Sequence, residues 1–249
     1  FEHVYLARPD SAVFSGSVDR SRRALGRQLA RECPAPGADI VFAVPDSSKS
    51  AALGFADESG TSYEHALIRN HYIGRTFIQP TQAVRVAKVK VKYNPVRELL
   101  EGKSVVMVDD SIVRGTTTRG LVRMLREAGA AEVHVRISSP PVKWPCFYGI
   151  DFATRAELIA TGLGVEDVRA SIGADSLGYL TKDGMIAATG QQERELCTAC
   201  FTGTYPIELP TADRLGKNLL ERTEDPAACN PGPDSELDAM VREAEGGSN

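Results

Sequence analysis

The sequence predicts an α/β fold in which helices flank a central, mostly parallel sheet. Three observations support this prediction: short apolar runs end at polar turn residues, amphipathic stretches follow them, and strand, helix and strand succeed one another closely. Such an alternation requires a crossover between parallel strands, which is right-handed in almost all proteins. The chain has 249 residues, of which 42% are hydrophobic and 25% are charged. This composition is that of a globular protein, and the length suffices for a substantial core.

The first predicted strand covers residues 39–45, a short apolar run that ends at a proline. Residues 50–57 follow with helical spacing and stop near Gly60, which favours a helix end. Residues 104–108 form a second apolar run rich in valine, the pattern of a buried strand. The opening residues, 1–5, are strand-like and lack an initiating Met, and we expect an upstream portion to precede them.

The next elements complete the alternation. Residues 116–128 have the spacing of an amphipathic helix that stops before Gly129, and residues 132–137 form the third strand. Further flanking helices are predicted at 155–161, 164–172 and 183–189. We expect residues 1–210 to form one domain with a cysteine-containing C-terminal extension. We expect residues 211–249, which lose periodicity and are acidic, to form a weakly ordered tail.

The charge pattern restricts the class of partner. The net charge is −4 and the pI is about 5.7, yet residues 65–97 contain no acid and seven bases, Arg69, Arg75, Arg85, Lys88, Lys90, Lys92 and Arg97. Such a run is typical of a solvated face, of a nucleic-acid surface, or of a loop that closes over a small polyanion. The acidic pI and the few interleaved aromatic residues argue against nucleic acid. No apolar run approaches the roughly 20 residues that a membrane helix needs.

The strongest motif joins the second strand to the helix that follows it. The strand delivers two adjacent carboxylates, Asp109 and Asp110, at its carboxyl end, and a short turn with Gly115 then opens the helix. In open α/β sheets ligands bind at this edge, and the unpaired amides of a first helical turn attract phosphate. The carboxylates would face ribose hydroxyls and a hard cation such as Mg²⁺. The plain alternative is an acidic turn with Thr116 as the helix cap.

The complete string from Val105 to Thr118 resembles the signature of type I phosphoribosyltransferases, which bind phosphoribosyl pyrophosphate (PRPP). Further blocks in the same order, including residues 5–11, 44–48, 74–80, 138–141, 146–151, 172–175 and 197–201, resemble glutamine PRPP amidotransferases. The resemblance covers residues 1–209. It implies the type I phosphoribosyltransferase fold and the transfer of ammonia to carbon C1 of PRPP, which yields 5-phosphoribosylamine and pyrophosphate in the first committed step of purine synthesis.

The family resemblance also implies partners. In the family an N-terminal glutaminase domain supplies the ammonia. No such segment precedes Phe1, so we expect this chain alone to use ammonia. Purine nucleotides are expected as feedback inhibitors, a homotetramer as the assembly and the cytoplasm as the compartment, with neither membrane nor nucleic acid as a partner.

Site residues follow from the same resemblance. Mg²⁺ is expected on Ser48, Asp109 and Asp110, and residues 72–95 resemble a lid that closes over PRPP. Asp109, Asp110 and Arg75 are the expected catalytic residues. The expected substrate-binding residues are Asp46, Ser47, Ser48, Arg69, Arg75, Lys92, Asp109, Asp110, Ser111, Arg114, Gly115, Thr116, Thr117 and Thr118.

The sequence departs from the family pattern just before the lid. Arg69-Asn70-His71-Tyr72 stands where the family usually has Lys-Asn-Arg-Tyr. At Arg69 a planar fork with several donors therefore replaces a point charge.

The cysteines leave two interpretations open. Cys197 and Cys200 have metal-ligand spacing, but only one such pair exists. One branch of the family holds a 4Fe–4S cluster with four cysteines, and Cys146, Cys197 and Cys200 align with three of them. The fourth falls just before Phe1, outside this chain. The alternative is a set of reduced or buried thiols.

Two other functions stay open from the residues. A non-catalytic PRPP-binding regulator would use the same pocket as a sensor, but such regulators carry a DNA-binding segment, and none stands out. A purine salvage phosphoribosyltransferase would use a free base, but such enzymes are shorter and lack the cysteine-rich extension.

Overall fold

The structure is a computed structural model that describes residues 1–14, 16–70, 92–150 and 155–207. Within these ranges nine strands are assigned: β1 Ala12–Val13, β2 Gly16–Ser17, β3 Ile40–Ala43, β4 Ser62–Tyr63, β5 Leu67–Arg69, β6 Tyr93–Pro95, β7 Ser104–Asp109, β8 Glu132–Ile137 and β9 Ser176–Tyr179. The α-helices of the same ranges are α1 Val18–Glu32, α2 Lys49–Ser59, α3 Arg97–Leu100, α4 Thr116–Glu127, α5 Ile159–Gly162, α6 Val165–Ile172, α7 Lys182–Thr189 and α8 Ala199–Thr202.

The central sheet has the strand order β4-β3-β7-β8-β9, and each neighbouring pair in it is parallel. The predicted fold class is therefore confirmed. The strands predicted at 39–45, 104–108 and 132–137 become β3, β7 and β8, with β3 shorter than expected. Two antiparallel pairs, β1–β2 and β5–β6, lie outside this sheet.

The alternating residues of β7 divide the core into two layers. Val105 and Met107 belong to one apolar cluster with the buried side chains of α4 and α6. Val106 and Val108 belong to the other, with those of α1, α2 and α7. Helices thus cover both faces of the sheet, as expected for buried parallel strands.

Helices α1 and α2 pack at very short distance. A Cβ added at Gly26 would lie 1.8 Å from the carbonyl oxygen of Ala51, and one at Gly54 would lie 2.0 Å from that of Arg23. Because only glycine fits at such backbone contacts, these two residues bring α2 close against α1. Helix α2 ends at Gly60 in the left-handed conformation, as the sequence indicates.

The structure corrects two local predictions. Residues 1–5 were expected to be strand-like, but Glu2–Leu6 forms a single π-helical turn, because the carbonyls of His3 and Ala7 accept hydrogen bonds from the guanidinium of Arg22. The helix predicted at 155–161 is interrupted. A 3₁₀ turn covers Arg155–Glu157, and α5 begins only at Ile159, whose amide donates to Val113.

The later elements agree better with the sequence. The helices predicted at 164–172 and 183–189 are α6 and α7. A further 3₁₀ turn at Glu193–Glu195 and helix α8 form a C-terminal helical extension. The tail predicted at 211–249 lies outside the described residues. Across the described ranges, no helix combines the length and apolarity that crossing a membrane demands.

Candidate active site

A cleft of about 450 Å³ opens at the carboxyl ends of β3 and β7. This is the edge of a parallel sheet at which ligands generally bind. Many of the predicted site residues line it together: Asp46, Ser47, Arg69, Lys92, Asp109, Asp110, Ser111, Arg114, Gly115, Thr116, Thr117 and Thr118. Ser48 is buried beside them, and Arg75 and most of the predicted lid lie outside the described residues.

The two adjacent carboxylates are almost fully buried, with Asp109 8% and Asp110 7% exposed. Burial raises the pKa of both carboxyl groups, and the charge of Asp110 raises that of Asp109 further. Hydroxyl donors offset part of the cost. Ser48 Oγ donates to Asp109 Oδ1 at 3.1 Å, and Asp110 accepts from Ser47 Oγ and Ser111 Oγ at 2.6 Å each. This acid pair is thus a concentration of negative charge that a bound cation would stabilise.

The segment 46–48 joins β3 to α2, and the hydroxyls of Ser47 and Ser48 are directed at the acid pair at the end of β7. Ser48 occupies the N-cap position of α2 but makes no side-chain cap, and its hydroxyl is directed at Asp109, to which it donates. Asp46 forms ion pairs with Lys49 at 2.7 Å and with Arg69 at 2.9 Å. Although burial opposes it, these two cations lower the pKa of Asp46. The Pro45–Asp46 peptide bond is cis.

The turn before α4 supplies a helix N-terminus at the cleft. Gly115 is the N-cap and has the left-handed φ of 73°, so Thr116 is the first helical residue and not the cap. A Cβ at position 115 would lie 2.7 Å from Ile159 Cδ1. Since glycine carries no capping group, the amides of the first turn of α4 receive no side-chain cap from it. A phosphate is a suitable acceptor for such amides.

The basic residues of the cleft have protein partners. Arg114 donates to both carboxylate oxygens of Glu157, at 3.1 and 3.4 Å. Arg69 is engaged by Asp46, as described above. Lys92 Nζ lies 5.1 Å from the ring centroid of Tyr93, whose pKa burial raises to about 12. Arg69 and Arg114 would therefore have to exchange a carboxylate for a ligand phosphate.

Sequence reasoning missed the apolar part of the lining. Phe1, Tyr5, Val113 and Ile150 line the cleft, as does Tyr93 of β6. Phe1 and Tyr5 come from the N-terminal turn and Ile150 from a distant loop. Tyr5 and Ile150 lie in blocks that resemble the family, but no local spacing connects these segments to the acid pair, because tertiary packing brings them together.

The three cysteines proposed as cluster ligands are all described. Burial raises the pKa of the Cys200 thiol to about 11, with smaller increases from Cys146 and Cys197. Cys146 Sγ accepts the amide of Tyr148 at 3.3 Å. Across the described ranges, however, no group of three or more His, Cys, Asp or Glu side chains is arranged to hold a metal ion. The 4Fe–4S cluster therefore stays a prediction from the sequence resemblance.

Comparison with known proteins gives a consistent result. No family model matches the sequence. The chain is 58% identical over 226 residues to the amidophosphoribosyltransferase of Mycobacterium tuberculosis, covering 89% of the chain and 43% of the relative. It is 54% identical over 212 residues to that of Bacillus subtilis, covering 84% of the chain and 44% of the relative. The chain thus spans a little under half the length of these relatives.

Two solved structures are similar to the chain, each with a TM-score of 0.77 and 52% identity over 85% of the chain. One is described as an allosteric regulatory enzyme of purine biosynthesis, of which 46% is covered. The other is a glutamine PRPP amidotransferase from B. subtilis complexed with ADP and GMP, of which 47% is covered. The resemblance indicated by the sequence motifs is confirmed, both in sequence and in fold.

Proposed function

We propose, from the premise that the chain belongs to the amidophosphoribosyltransferase family as its phosphoribosyltransferase part, that it transfers ammonia to carbon C1 of PRPP. The nitrogen lone pair forms the new C–N bond while the bond from C1 to the pyrophosphate oxygen breaks. Pyrophosphate leaves with the bonding electrons, and the ammonium nitrogen loses a proton to solvent. The product is 5-phosphoribosylamine, and the reaction needs no oxidant or reductant.

One observation supports this proposal above the others: a buried acid pair and the N-terminus of a helix line the same cleft. The first turn of α4, residues 116–118, suits the 5-phosphate, because its amides are uncapped donors. Asp109 and Asp110 would accept hydrogen bonds from the ribose hydroxyls.

The acid pair also fits Mg²⁺. This ion prefers oxygen ligands and usually binds through one or two carboxylates together with substrate phosphates and water. Asp109 and Asp110 provide the carboxylates, and Ser48 provides a hydroxyl beside Asp109. The pKa values of both acids are raised by burial, so a cation would relieve an unfavourable charge already present in the fold. When bound, Mg²⁺ neutralises the charge that develops on pyrophosphate.

The opposite side of the cleft would hold pyrophosphate. Ser47 and the backbone after β3 offer donors, and Arg69 and Lys92 offer positive charge. We include Arg75 and the lid 72–95 in this proposal as the groups that complete the charge balance over PRPP and exclude water. Positioning, charge neutralisation and the exclusion of water then supply most of the rate acceleration, because the chemistry needs little acid–base assistance.

The remaining partners are proposals of the same kind. In the longer relatives we infer that glutamine is the source of ammonia, through a glutaminase portion that this chain does not match. Purine nucleotides are proposed as inhibitors, since a similar solved structure contains ADP and GMP. We retain the homotetramer, the cytoplasmic location and the 4Fe–4S cluster on Cys146, Cys197 and Cys200 as proposals.

The decisive experiment measures pyrophosphate release from PRPP with Mg²⁺ and ammonium. The parent chain is compared with an Asp109→Asn, Asp110→Asn double variant and with Asp183→Asn, which makes the same chemical change at a side chain 90% exposed. We expect the double variant to lose about 100-fold or more of the rate, the scale of an electrostatic contribution to catalysis. We expect Asp183→Asn to match the parent.

The same assay separates the alternatives. A salvage phosphoribosyltransferase would release pyrophosphate with a free purine base and not with ammonium. A regulator would bind PRPP and release none with either. Either result in the parent chain would refute the proposed function.

A further inference from the structure

Arg22, on α1, is a buried cation that the proposed function does not use. Arg22 is only 2% exposed. Nε donates to the carbonyl of His3 at 2.8 Å, and Nη2 donates to the carbonyl of Ala7 at 2.7 Å. The two acceptors lie within and just after the N-terminal π-helical turn Glu2–Leu6. One side chain therefore ties two points of this turn to α1.

The N-terminal turn has little stability of its own. It is a single π-helical turn, closed by hydrogen bonds such as Tyr5 N to Phe1 O and Ala7 N to Glu2 O, both 3.0 Å. Isolated short helices are unstable in water because nucleation is costly, and π-helical turns persist only where tertiary contacts hold them. Arg22 is such a contact, and its two fixed directions of donation suit two carbonyls.

This turn forms part of the cleft. Phe1 and Tyr5 both line it, with ring centroids 5.9 Å apart, and Phe1 also lies 6.3 Å from the ring of Phe201. Tyr5 is 47% exposed, so its position is not fixed by burial. Because Phe1 and Tyr5 belong to this segment, the conformation of the turn sets where the two rings lie along the cleft.

The positive charge of Arg22 also interacts with the acid pair. Burial lowers the pKa of the guanidinium, and the charge that most opposes this lowering is Asp110, ahead of Asp19. A buried charge is costly unless it is compensated. Arg22 therefore interacts electrostatically with the acid pair as well as holding the turn through its two hydrogen bonds.

We propose that Arg22 is a positioning residue that fixes the N-terminal turn as one wall of the cleft beside the acid pair, so that ammonia and not water reaches the reacting carbon. The proposal rests on the proposed function, and it assigns to Arg22 no contact with substrate. Its loss should leave PRPP binding largely intact, because the residues proposed for PRPP lie on other elements. It should instead change the fate of bound PRPP.

The test compares Arg22→Met and Arg22→Lys with Arg136→Met. Arg136 is a comparable control, since it is also buried, at 5% exposure, and also donates to backbone carbonyls, those of Cys33, Pro34 and Val135, but has no hydrogen bond to the N-terminal turn. Two properties are measured in the full chain: amide hydrogen exchange of the segment 1–14, and the fraction of PRPP hydrolysed by water relative to that converted by ammonia. The KM for PRPP and kcat are determined separately.

For Arg22→Met we expect exchange in the turn to rise about tenfold or more, because a hydrogen bond from a charged donor contributes about 1.5–3 kcal/mol. The hydrolysed fraction should rise and kcat for transfer should fall, with little change in the KM for PRPP. Arg22→Lys should recover part of both, since lysine keeps the charge but cannot donate in two fixed directions. Arg136→Met should lower stability and leave both readouts at their parent values.

Three results would overturn the proposal. The first is unchanged amide exchange of segment 1–14 in Arg22→Met. The second is faster exchange without any rise in PRPP hydrolysis, and the third is an equal change of both readouts in Arg136→Met. If the parent chain releases no pyrophosphate with ammonium, the proposed function itself is wrong. The exchange experiment needs no activity, so it then still shows whether Arg22 anchors the turn.

Discussion

Replacing Gly115 by alanine should destabilise the chain and weaken PRPP binding together. The residue has a φ of 73°, and a Cβ there would lie 2.7 Å from Ile159 Cδ1. The left-handed conformation costs an L-residue about 1–2 kcal/mol, and an extra methyl group in a packed site adds about 1–3 kcal/mol. The expected loss in the free energy of unfolding is therefore about 2–5 kcal/mol. Rotation of the Ile159 side chain would give the lower end of this range.

Gly60→Ala separates the two contributions. Gly60 has a φ of 71°, but a Cβ there would meet nothing within 4 Å. This control therefore carries the backbone penalty of about 1–2 kcal/mol without the steric one. The difference between the two variants in urea unfolding measures the contact with Ile159.

Ile159→Val provides the internal test, because it removes the Cδ1 atom that the new methyl group would meet. Alone it should cost about 1 kcal/mol. In the Gly115→Ala background it should cost less or restore stability, with a coupling energy of about 1–2 kcal/mol between the two positions. Since the added Cβ faces Ile159, loss of PRPP affinity must come from displacement of the turn, and calorimetric titration should show that affinity recovers with stability. Additive effects of the two substitutions on stability would refute this reasoning.

Three further predictions concern the acid pair and its neighbours. Burial raises the pKa of Asp109 in the folded chain, so in Mg²⁺-free buffer its contribution to stability should be greatest at acidic pH and fall as pH rises from the ordinary carboxyl range through the raised pKa. Asp109→Asn should flatten this dependence in urea unfolding at pH 5 and pH 8, and an unchanged slope would contradict it. Ser48→Ala should raise the Mg²⁺ concentration needed for half-maximal pyrophosphate release about tenfold, as loss of one hydrogen bond to a charged group implies. The control for Ser48→Ala is Thr181→Ala, which removes a side-chain cap in which Oγ1 lies 3.0 Å from the amide nitrogen of Gly184. This variant should lose about 1 kcal/mol in the free energy of unfolding and show no change in Mg²⁺ dependence. Arg69→Met should raise the KM for PRPP about tenfold in steady-state kinetics, with partial recovery in Arg69→Lys, because lysine keeps the charge without the bidentate fork. Equal KM values for PRPP in Arg69→Met and Arg69→Lys would show that Arg69 is not part of the phosphate site.

The sheet was predictable because its signal is local. Strand β7 is buried on both faces and appears as a continuous apolar run, while β8 alternates apolar and polar residues, and both patterns are visible within a few residues of sequence. Helix α1 was missed for the opposite reason. Several of its buried positions are polar or small, among them Ser21, Arg22 and Gly26. The sequence of α1 therefore lacks the continuous apolar face that would indicate a helix packed on the core. Strand β9 has only four residues, including a serine and a glycine, and its pairing with β8 is what defines it.

The site was predictable where one segment carries it and not where several segments meet. The acid pair, Gly115 and the threonines lie within ten residues of one another and form one motif. The pairing of Asp46 with Arg69 joins residues 23 apart, and the wall of Phe1 and Tyr5 is more than 100 residues from Asp109. Such contacts depend on tertiary packing, which no local spacing encodes.

At the cleft the chain departs from ordinary helix capping and from the avoidance of buried charge. These departures have one consequence in common. Ser48 stands at a helix N-cap and gives its hydroxyl to Asp109, while the N-cap of α4 is a glycine with nothing to donate or accept from a side chain. Two carboxylates are buried side by side although burial raises the pKa of both and the charge of Asp110 raises that of Asp109 further. By contrast, the N-caps of α1 and α7, Ser17 and Thr181, accept backbone amides with their side chains, while those of the short helices α3, α5 and α8 make no side-chain cap. Sequences usually violate such rules only at functional sites. Each departure leaves a group at this one edge that is stabilised better by a phosphate, a sugar hydroxyl or a cation than by the protein. We therefore expect PRPP with Mg²⁺ to raise the stability of the chain by more than either alone.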